Sequence, residues 1–521
     1  MSDPSSPTGV ESSPERRRRR AGILLHPTSL PGPFGVGDLG PAAMAFLSWA
    51  HAAGQSVWQV LPLGPTGYGD SPYGLLSSFA GNPFLISPEA LVEDGLLHAS
   101  ELHHVPRSRA DRVDSHKFGP WKEAILRASW GQFEADAPPG LAAELAAFCA
   151  QEGPAWLDDW SLFIALKRRH RGRPWPEWQA PLARREPGAL AQAREELAEE
   201  IAFHAFVQFL FFRQWKALRR RAAELSIEIL GDLPIYVALD SADVWCAPHL
   251  FELDARFQPT AVSGVPPDAF TADGQLWGTP VYDWGAHHAE GYAWWAARIG
   301  ASLRFVDQLR IDHFRGFAGW WRVPADAPTA AGGRWVPGPG LALFQAVAAQ
   351  LGPLPLIAED LGVITPDVRR LLADLGVPGM KVLQFAFADE DSDYLPHHYE
   401  PHCVVYTGTH DNDTARGWFA HAGTEERRRA ADYLGVEGGA RIEWAMIRAA
   451  YTSVADLAVV PMQDALGLGS RARMNTPGKP GGNWLWRVRE EDVHDGTAAR
   501  LRRLVEVTGR VPKVSASQAE H

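Results

Sequence analysis

The sequence predicts an α/β fold, a (β/α)8 TIM barrel with inserted subdomains on its catalytic face. Three observations point there. Eight short apolar runs recur along the 521-residue chain, each ends abruptly in polar, Gly or Pro residues, and stretches of helical pattern lie between them. A strand buried on both faces reads as an unbroken apolar run, so ionisable residues at its end are costly unless they line a cavity. In a barrel of this kind that cavity is the mouth at the C-terminal strand ends.

In chain order, the first run is GILLHPTSL from Gly22 and the second VWQVLPLGPTG from Val57. The third, IEILGDLPIYV from Ile227, follows about 160 residues later, and the fourth, LRIDHFRGF from Leu309, about 70 beyond that. Then come PLIAEDLG from Pro355, GMKVLQFAF from Gly379, VVYTGTHDND from Val404 and DLAVVPMQD from Asp456. Residues 191–225 begin acidic and end basic, which suits a helix dipole, and lead directly into the third strand; the arginine triplet there reads as a solvated face. TPDVRRLLADLG from Thr365 offers Thr as N-cap, Pro at the first helical position and Gly376 as a stop. A simple barrel needs about 30 residues per βα unit, so the two long gaps are insertions: a mostly helical subdomain at about 76–190 and a loop-rich one at about 239–300. With the barrel they make a catalytic unit over 21–510. Residues 1–20, rich in Ser, Pro and Arg, are expected as a disordered arm, and 511–521 as a flexible tail.

Composition excludes several functions. A net charge of −12 and a pI near 5.9 argue against a nucleic-acid partner, which needs a basic face. Cys149, Cys246 and Cys403 lie far apart without CxxC spacing, so neither a disulfide framework nor a zinc site is expected, in keeping with a reducing cytoplasm. No apolar run approaches a membrane span, and ERRRRR at 15–20 is followed by AGILLHPTSLPGP, which breaks too soon for a signal peptide. Most of the 21 tryptophans must pack in the core, yet several sit beside Gly, Pro and acidic residues, as in QLWGTPVYDWG, GNWLWR and GRPWPEWQ. A flat apolar face in a polar rim suits a sugar ring.

Strand alternation points Arg310 and Asp312 the same way, so Asp312 enters the mouth with a cation beside it that keeps it ionised. In LIAEDLG, spacing leaves Glu359 and Asp360 both open; in YTGTHDNDT it leaves Asp411 and Asp413, with His410 adjacent. Three carboxylates thus arrive from the fourth, fifth and seventh strand ends. Two carboxyl groups of different pKa are the minimum equipment for glycosidic cleavage, and a third can stabilise a cationic transition state. The blander reading, that each pair caps a helix or forms ion pairs, weakens when three occur on one barrel face. A metal site built from His26, His313 and His410-Asp411 competes, but there is no HxH or HExxH spacing, and the arginines beside Asp312 oppose a cation. No GxGxxG follows a strand, and the PGPG around Gly338 carries no Walker lysine, so no phosphate site is expected.

GDLPIYV, RIDHFRG, IAEDLG and TGTHDND resemble the ordered signature segments of the α-amylase clan. The longer LLHPTSLPGPFGVGDLG, WQVLPLGPTGYGDSPY, GVPPDAFTADGQLWGTP and ALGLGSRARMNTPG are similar to the amylomaltases, the 4-α-glucanotransferases of glycoside hydrolase family 77, from about Gly22 to about Leu504. The resemblance implies a retaining transglycosylase in which Asp312 is the nucleophile, Glu359 the general acid/base and Asp411 the transition-state stabiliser. It implies that Arg310 orients the nucleophile, that Asp232, His313 and His410 contact the donor sugar, and that Tyr73 stacks on it with Ser71 close by. Asp268, Gln275 and Trp277 fall on a loop, 264–280, that covers the glucan chain, Asn483 on a further sugar contact, and Tyr68 on a second glucan site. Ala269 stands where many relatives carry a tyrosine, which removes a stacking surface from that loop.

The expected activity is transfer of α-1,4-glucan segments between maltooligosaccharide, amylose, starch or glycogen chains, with cyclic glucans among the products it allows. No nucleotide, flavin or metal cofactor is required, no membrane partner is expected, and a monomer is the expected state. An α-amylase-like retaining hydrolase, a glucan-binding barrel without catalysis and a metal-dependent hydrolase are the rivals.

Overall fold

The computed structural model describes residues 19–67, 70–267, 272–362, 364–479 and 481–511. Its strands are β1 (Arg20–Leu24), β2 (Val57–Gln59), β3 (Glu228–Leu233), β4 (Ala261–Val265), β5 (Gln275–Pro280), β6 (Gln308–Ile311), β7 (Gly319–Pro324), β8 (Arg334–Pro337), β9 (Leu356–Ala358), β10 (Gly379–Val382), β11 (Cys403–Tyr406) and β12 (Leu457–Pro461). Eight of them, in the spatial order β10-β11-β12-β1-β2-β3-β6-β9, form one sheet whose pairings are all parallel. These are the eight apolar runs of the sequence.

The sheet curls until its edges meet: Ala358 N–H, on β9, donates to the carbonyl of Pro378, just before β10, at 2.9 Å. Closure removes both exposed edges. The strands are short and almost wholly buried because barrel side chains fill the interior while helices cover the outside. Register then decides what meets at the mouth. Arg310 on β6 lies opposite Asp232 on β3 and Ile357 on β9.

The stretch between β2 and β3 is not uniform. Residues 76–114 hold one six-residue helix, Pro88–Glu93, and 3-10 turns at Pro83–Leu85 and Ala99–His104; Pro at the first helical positions and Gly95 in the left-handed region punctuate this segment. Long helices begin at Ser115–Ala135 and continue with Leu141–Glu152, Asp158–Arg169 and Pro187–Glu196. They pack through aromatic side chains, among them Trp130 on Phe206 and Phe148 on Phe209 and Phe212, against the helix Ala198–Glu224 that feeds β3. The helix read at 191–225 is two helices, parted at Leu197 where φ is −115° and ψ 18°.

A second, antiparallel sheet has the order β5-β4-β7-β8. Two of its strands, β4 and β5, lie in the 239–300 stretch, where the sequence suggests mainly loop. The glycines Gly264 and Gly278 interrupt their alternation, and β5 is exposed at three successive residues, 276–278, so the two-residue period that marks a half-buried strand is absent.

Candidate active site

The ladder continues one residue past β6 and β9. Asp312 N–H donates to the Leu233 carbonyl at 2.9 Å and Glu359 N–H to the Ile311 carbonyl at 3.0 Å, which fixes both acids at the mouth. The chain then turns sharply at His313, whose φ of 52° lies in the left-handed region; a non-glycine residue there carries strain of about 1 kcal/mol or more. The turn aims the His313 N–H at Glu359 Oε2, 2.7 Å away, while Leu361 N–H donates to Oε1 at 2.8 Å. Glu359 is thereby held against the residue that follows Asp312.

Arg310 ties the other side together. Its Nη1 donates to both oxygens of Asp232 at 2.7 Å and its Nη2 to Asp312 Oδ1 at 3.0 Å. Arg310 and Asp232 are buried, whereas Asp312 is half-buried and open to the mouth. Burial works against the Arg310 charge, but Asp232 and Asp312 more than offset it and the guanidinium stays ionised. Burial pushes Asp312 up to about 6 even with Arg310 as the largest influence holding it down, so the cation beside it does not keep its pKa low as the sequence suggests. Burial first, then the charge of Asp312, push Glu359 up to about 7, against the pull of Arg310 and then of its two backbone N–H donors. Both acids are thus raised, with Glu359 the higher of the two.

At the end of β11, Asp411 Oδ1 accepts from Asn475 Nδ2 at 2.5 Å, and its backbone carbonyl accepts from Arg473 Nη2 at 2.6 Å. Asn475 N–H donates to the His410 carbonyl at 3.1 Å, so the segment 473–475 clasps the 410–411 pair from outside the barrel. His410 stacks on Tyr73 with ring centroids 5.0 Å apart, and Tyr73 donates its hydroxyl to Asp232 Oδ2 at 2.7 Å. Ser71 shapes that turn, its Oγ accepting from Tyr73 N–H at 3.3 Å. Burial and then Arg315 push His313 down to about 3, which makes it a neutral imidazole. Trp277 meets its ring edge-on at 4.7 Å. Gln275, at the start of β5, accepts from Trp277 Nε1 at 3.3 Å.

The structure thus brings Tyr73, Asp232, Arg310, Asp312, His313, Glu359, His410 and Asp411 together, with Trp277 and Gln275 on the adjoining sheet. The two alternatives that spacing left open have other work. Asp360 Oδ1 accepts from Met380 N–H at 2.6 Å, bracing β10, and Asp413 accepts from Thr414 N–H and Ser470 Oγ, both at 2.7 Å. Asn483 is occupied within its own loop, accepting from Thr476 N–H and donating to the Lys479 carbonyl, both at 2.9 Å. Its neighbour Trp484 packs 5.9 Å from both Tyr73 and His410 instead. Tyr68, Asp268 and Ala269 lie outside the described residues. Asn475, Arg473 and Trp484 were not singled out by sequence reasoning. They come from a connection after the last strand, and only the strings ARMNTPG and GNWLWR hold a trace of them.

A profile of the family described as 4-alpha-glucanotransferase matches residues 25–492. The chain belongs to the 4-α-glucanotransferase family. It is 49% identical over 501 residues to the 4-alpha-glucanotransferase of Thermus thermophilus, covering 95% of this chain and 99% of that protein. The chloroplastic/amyloplastic 4-alpha-glucanotransferase DPE1 of Arabidopsis thaliana is 46% identical over 502 residues, with 95% of this chain and 86% of that protein covered. The amylomaltase of Streptococcus agalactiae, solved in complex with acarbose, superposes with a TM-score of 0.92 at 37% identity, covering 95% of this chain and all of that one. The (β/α)8 architecture of the family is the architecture seen here. Among the described residues no helix is long and apolar enough to cross a membrane.

Proposed function

We propose that the chain carries out the 4-α-glucanotransferase reaction of its family as a retaining double displacement on α-1,4-glucans. An Asp312 carboxylate oxygen attacks the anomeric carbon as the bond to the leaving 4-oxygen breaks and Glu359 gives that oxygen its proton. The product is a glucosyl ester on Asp312 and a free glucan end. Glu359 then takes the proton from the 4-hydroxyl of an incoming glucan, whose oxygen attacks the same carbon and expels Asp312, so the α configuration returns. Asp411 faces the cationic transition state, and Arg310 orients Asp312. Tyr73, Asp232, His313 and His410 hold the donor sugar, with Ser71 setting the Tyr73 turn.

The observation that carries this reading is the placement of two half-buried acids at the mouth: Arg310 donates directly to Asp312, whereas Glu359 is held by two backbone N–H groups and raised by burial and then by Asp312. One is suited to attack and the other to hold a proton. Loop 264–280, with Asp268, Gln275 and Trp277, serves as the cover that keeps water from the ester while admitting a sugar. The helical and sheet-bearing insertions at about 76–190 and 239–300 wall the cleft, Tyr68 and Asn483 add glucan contacts, and the protein works as a cytoplasmic monomer on maltooligosaccharides, starch or glycogen.

Incubation with maltotriose tests the reaction. Glucose together with longer oligosaccharides is the expected outcome. Shortening of chains alone would make the protein an α-amylase-like hydrolase.

A further inference from the structure

Exposed tryptophans with one face free are rare in a well-packed molecule, and this one has a second besides Trp277. Trp335, on the edge strand β8, is 42% exposed. It is nevertheless held firmly. Trp321, its partner across the β7–β8 pairing, meets it edge-on with centroids 5.2 Å apart and is itself anchored by Nε1 donating to the Ala330 carbonyl at 2.8 Å. The Arg315 guanidinium carbon lies 3.9 Å from the centre of its ring, a cation–π contact that fixes one face. Beyond β8, Gly338 N–H donates to the Ala318 carbonyl at 2.9 Å and Gly340 N–H to the Phe317 carbonyl at 2.8 Å. A Cβ on Gly338 would come within 2.2 Å of the Phe317 carbonyl oxygen, so the PGPG segment must approach that turn closely. It is a brace for the Asp312 turn, which gives the segment a purpose that no phosphate site supplies.

Trp335 is therefore tied to the catalytic turn. Arg315 belongs to the turn that carries Asp312 and His313, and its charge is felt by Glu359. On that same turn Trp277 contacts His313. Two exposed indoles thus adjoin one turn, Trp277 against His313 at its start and Trp335 over Arg315 within it. We propose that Trp335 is a stacking platform for an α-1,4-glucan chain on the Glu359 side of the cleft, where it favours long acceptors over short ones. An indole held by Arg315 and Trp321 and still 42% exposed loses little conformational freedom on stacking against a sugar ring. The chain's 4-α-glucanotransferase family points to the occupant, and the Arg315 contact ties the indole to the turn that follows Asp312. The inference rests on the transfer reading of the site.

The test compares acceptors. With a common donor, KM is measured for glucose and for maltoheptaose as acceptors in the wild type, Trp335→Ala, Trp335→Gln and Trp335→Phe. The maltoheptaose-to-glucose KM ratio is expected to rise by about 5-fold in the Ala and Gln variants, and Trp335→Phe, which keeps an aromatic face, should recover most of the difference. Glutamine preserves bulk at an exposed edge, so it serves if the alanine variant folds poorly. An unchanged ratio, or equal losses on both acceptors from displacement of Arg315, would overturn the platform. Absence of transfer by the wild type on either acceptor would instead reject the underlying reaction, and the two failures are told apart by that control.

Discussion

The closed barrel and the four-stranded sheet beside it treat their functional side chains in opposite ways. At the barrel mouth, Asp312 and Glu359 sit on the last rungs of a buried parallel ladder, and Glu359 is gripped by two backbone N–H groups. On the other sheet, Leu276, Trp277 and Trp335 are 39–43% exposed, and the two tryptophans reach their neighbours through ring contacts. Bond making demands reacting groups held within a fraction of an ångström, whereas holding a repeating polymer demands flat faces it can slide across. In the function proposed here, the two sheets divide those demands between them.

The largest expected effect breaks the barrel side outright. Asp312→Asn keeps the shape of the side chain but removes the attacking charge, and transfer should fall about 10^4-fold or more. Glucan binding, measured by calorimetry with maltoheptaose, should survive because Asp232, Tyr73 and the tryptophans are untouched. Substantial residual turnover would remove Asp312 from the nucleophile's place.

Glu359→Gln comes next, with a loss of about 10^2–10^4-fold on natural glucans. A maltosyl fluoride donor needs no proton on its leaving group, so its first step should be largely spared in this variant. The wild-type pH profile carries the sign of the same assignment. Transfer requires Glu359 protonated, so activity should fall as pH rises through about 7, and as pH drops through about 6, where Asp312 takes a proton. Loss of the basic limb in Glu359→Gln would confirm the pairing, and an unchanged limb would assign it elsewhere.

Arg310→Met tests what holds the acids in place. It leaves Asp232 buried and Asp312 half-buried without their shared cation, and a broken buried pair of this kind costs about 3–5 kcal/mol. The midpoint of urea unfolding should drop accordingly, and transfer with it. An equally stable variant would mean that the Arg310 charge contributes no net stability.

Different parts of this molecule were legible to different degrees. The eight barrel strands show in the sequence because burial on both faces forces uninterrupted apolar runs, and the acids at the ends of β6, β9 and β11 stand out against them. The antiparallel sheet does not show, since β5 is exposed at the successive residues 276–278 and Gly264 and Gly278 break its alternation. Spacing could not choose between Glu359 and Asp360, because the loop after β9 leaves strand geometry at once. The choice follows from which backbone N–H groups each carboxylate meets, and two of these, His313 for Glu359 and Met380 for Asp360, lie 46 and 20 residues away. Asn475 is hidden for the same reason: its contact with Asp411 spans 64 residues of sequence and obeys no local period.

The smallest expected effect is also the sharpest contrast, because it concerns the residue next to Glu359. Asp360 is raised by burial, with the Met380 N–H as the main opposing influence. A carboxyl whose native pKa exceeds its unfolded one binds its proton more tightly when folded, so its contribution to stability falls as pH rises from the unfolded value through the native one. Asp360→Asn keeps an oxygen for the Met380 N–H and removes the buried charge. Its stability should stay within about 1 kcal/mol of the wild type, with the comparison shifting in favour of the variant as pH rises above the ordinary aspartate range. Transfer should be retained. Two adjacent acids at one strand end would then differ by orders of magnitude in consequence, for no reason but the direction each faces; a collapse of activity in Asp360→Asn would instead place the proton donor one residue further along.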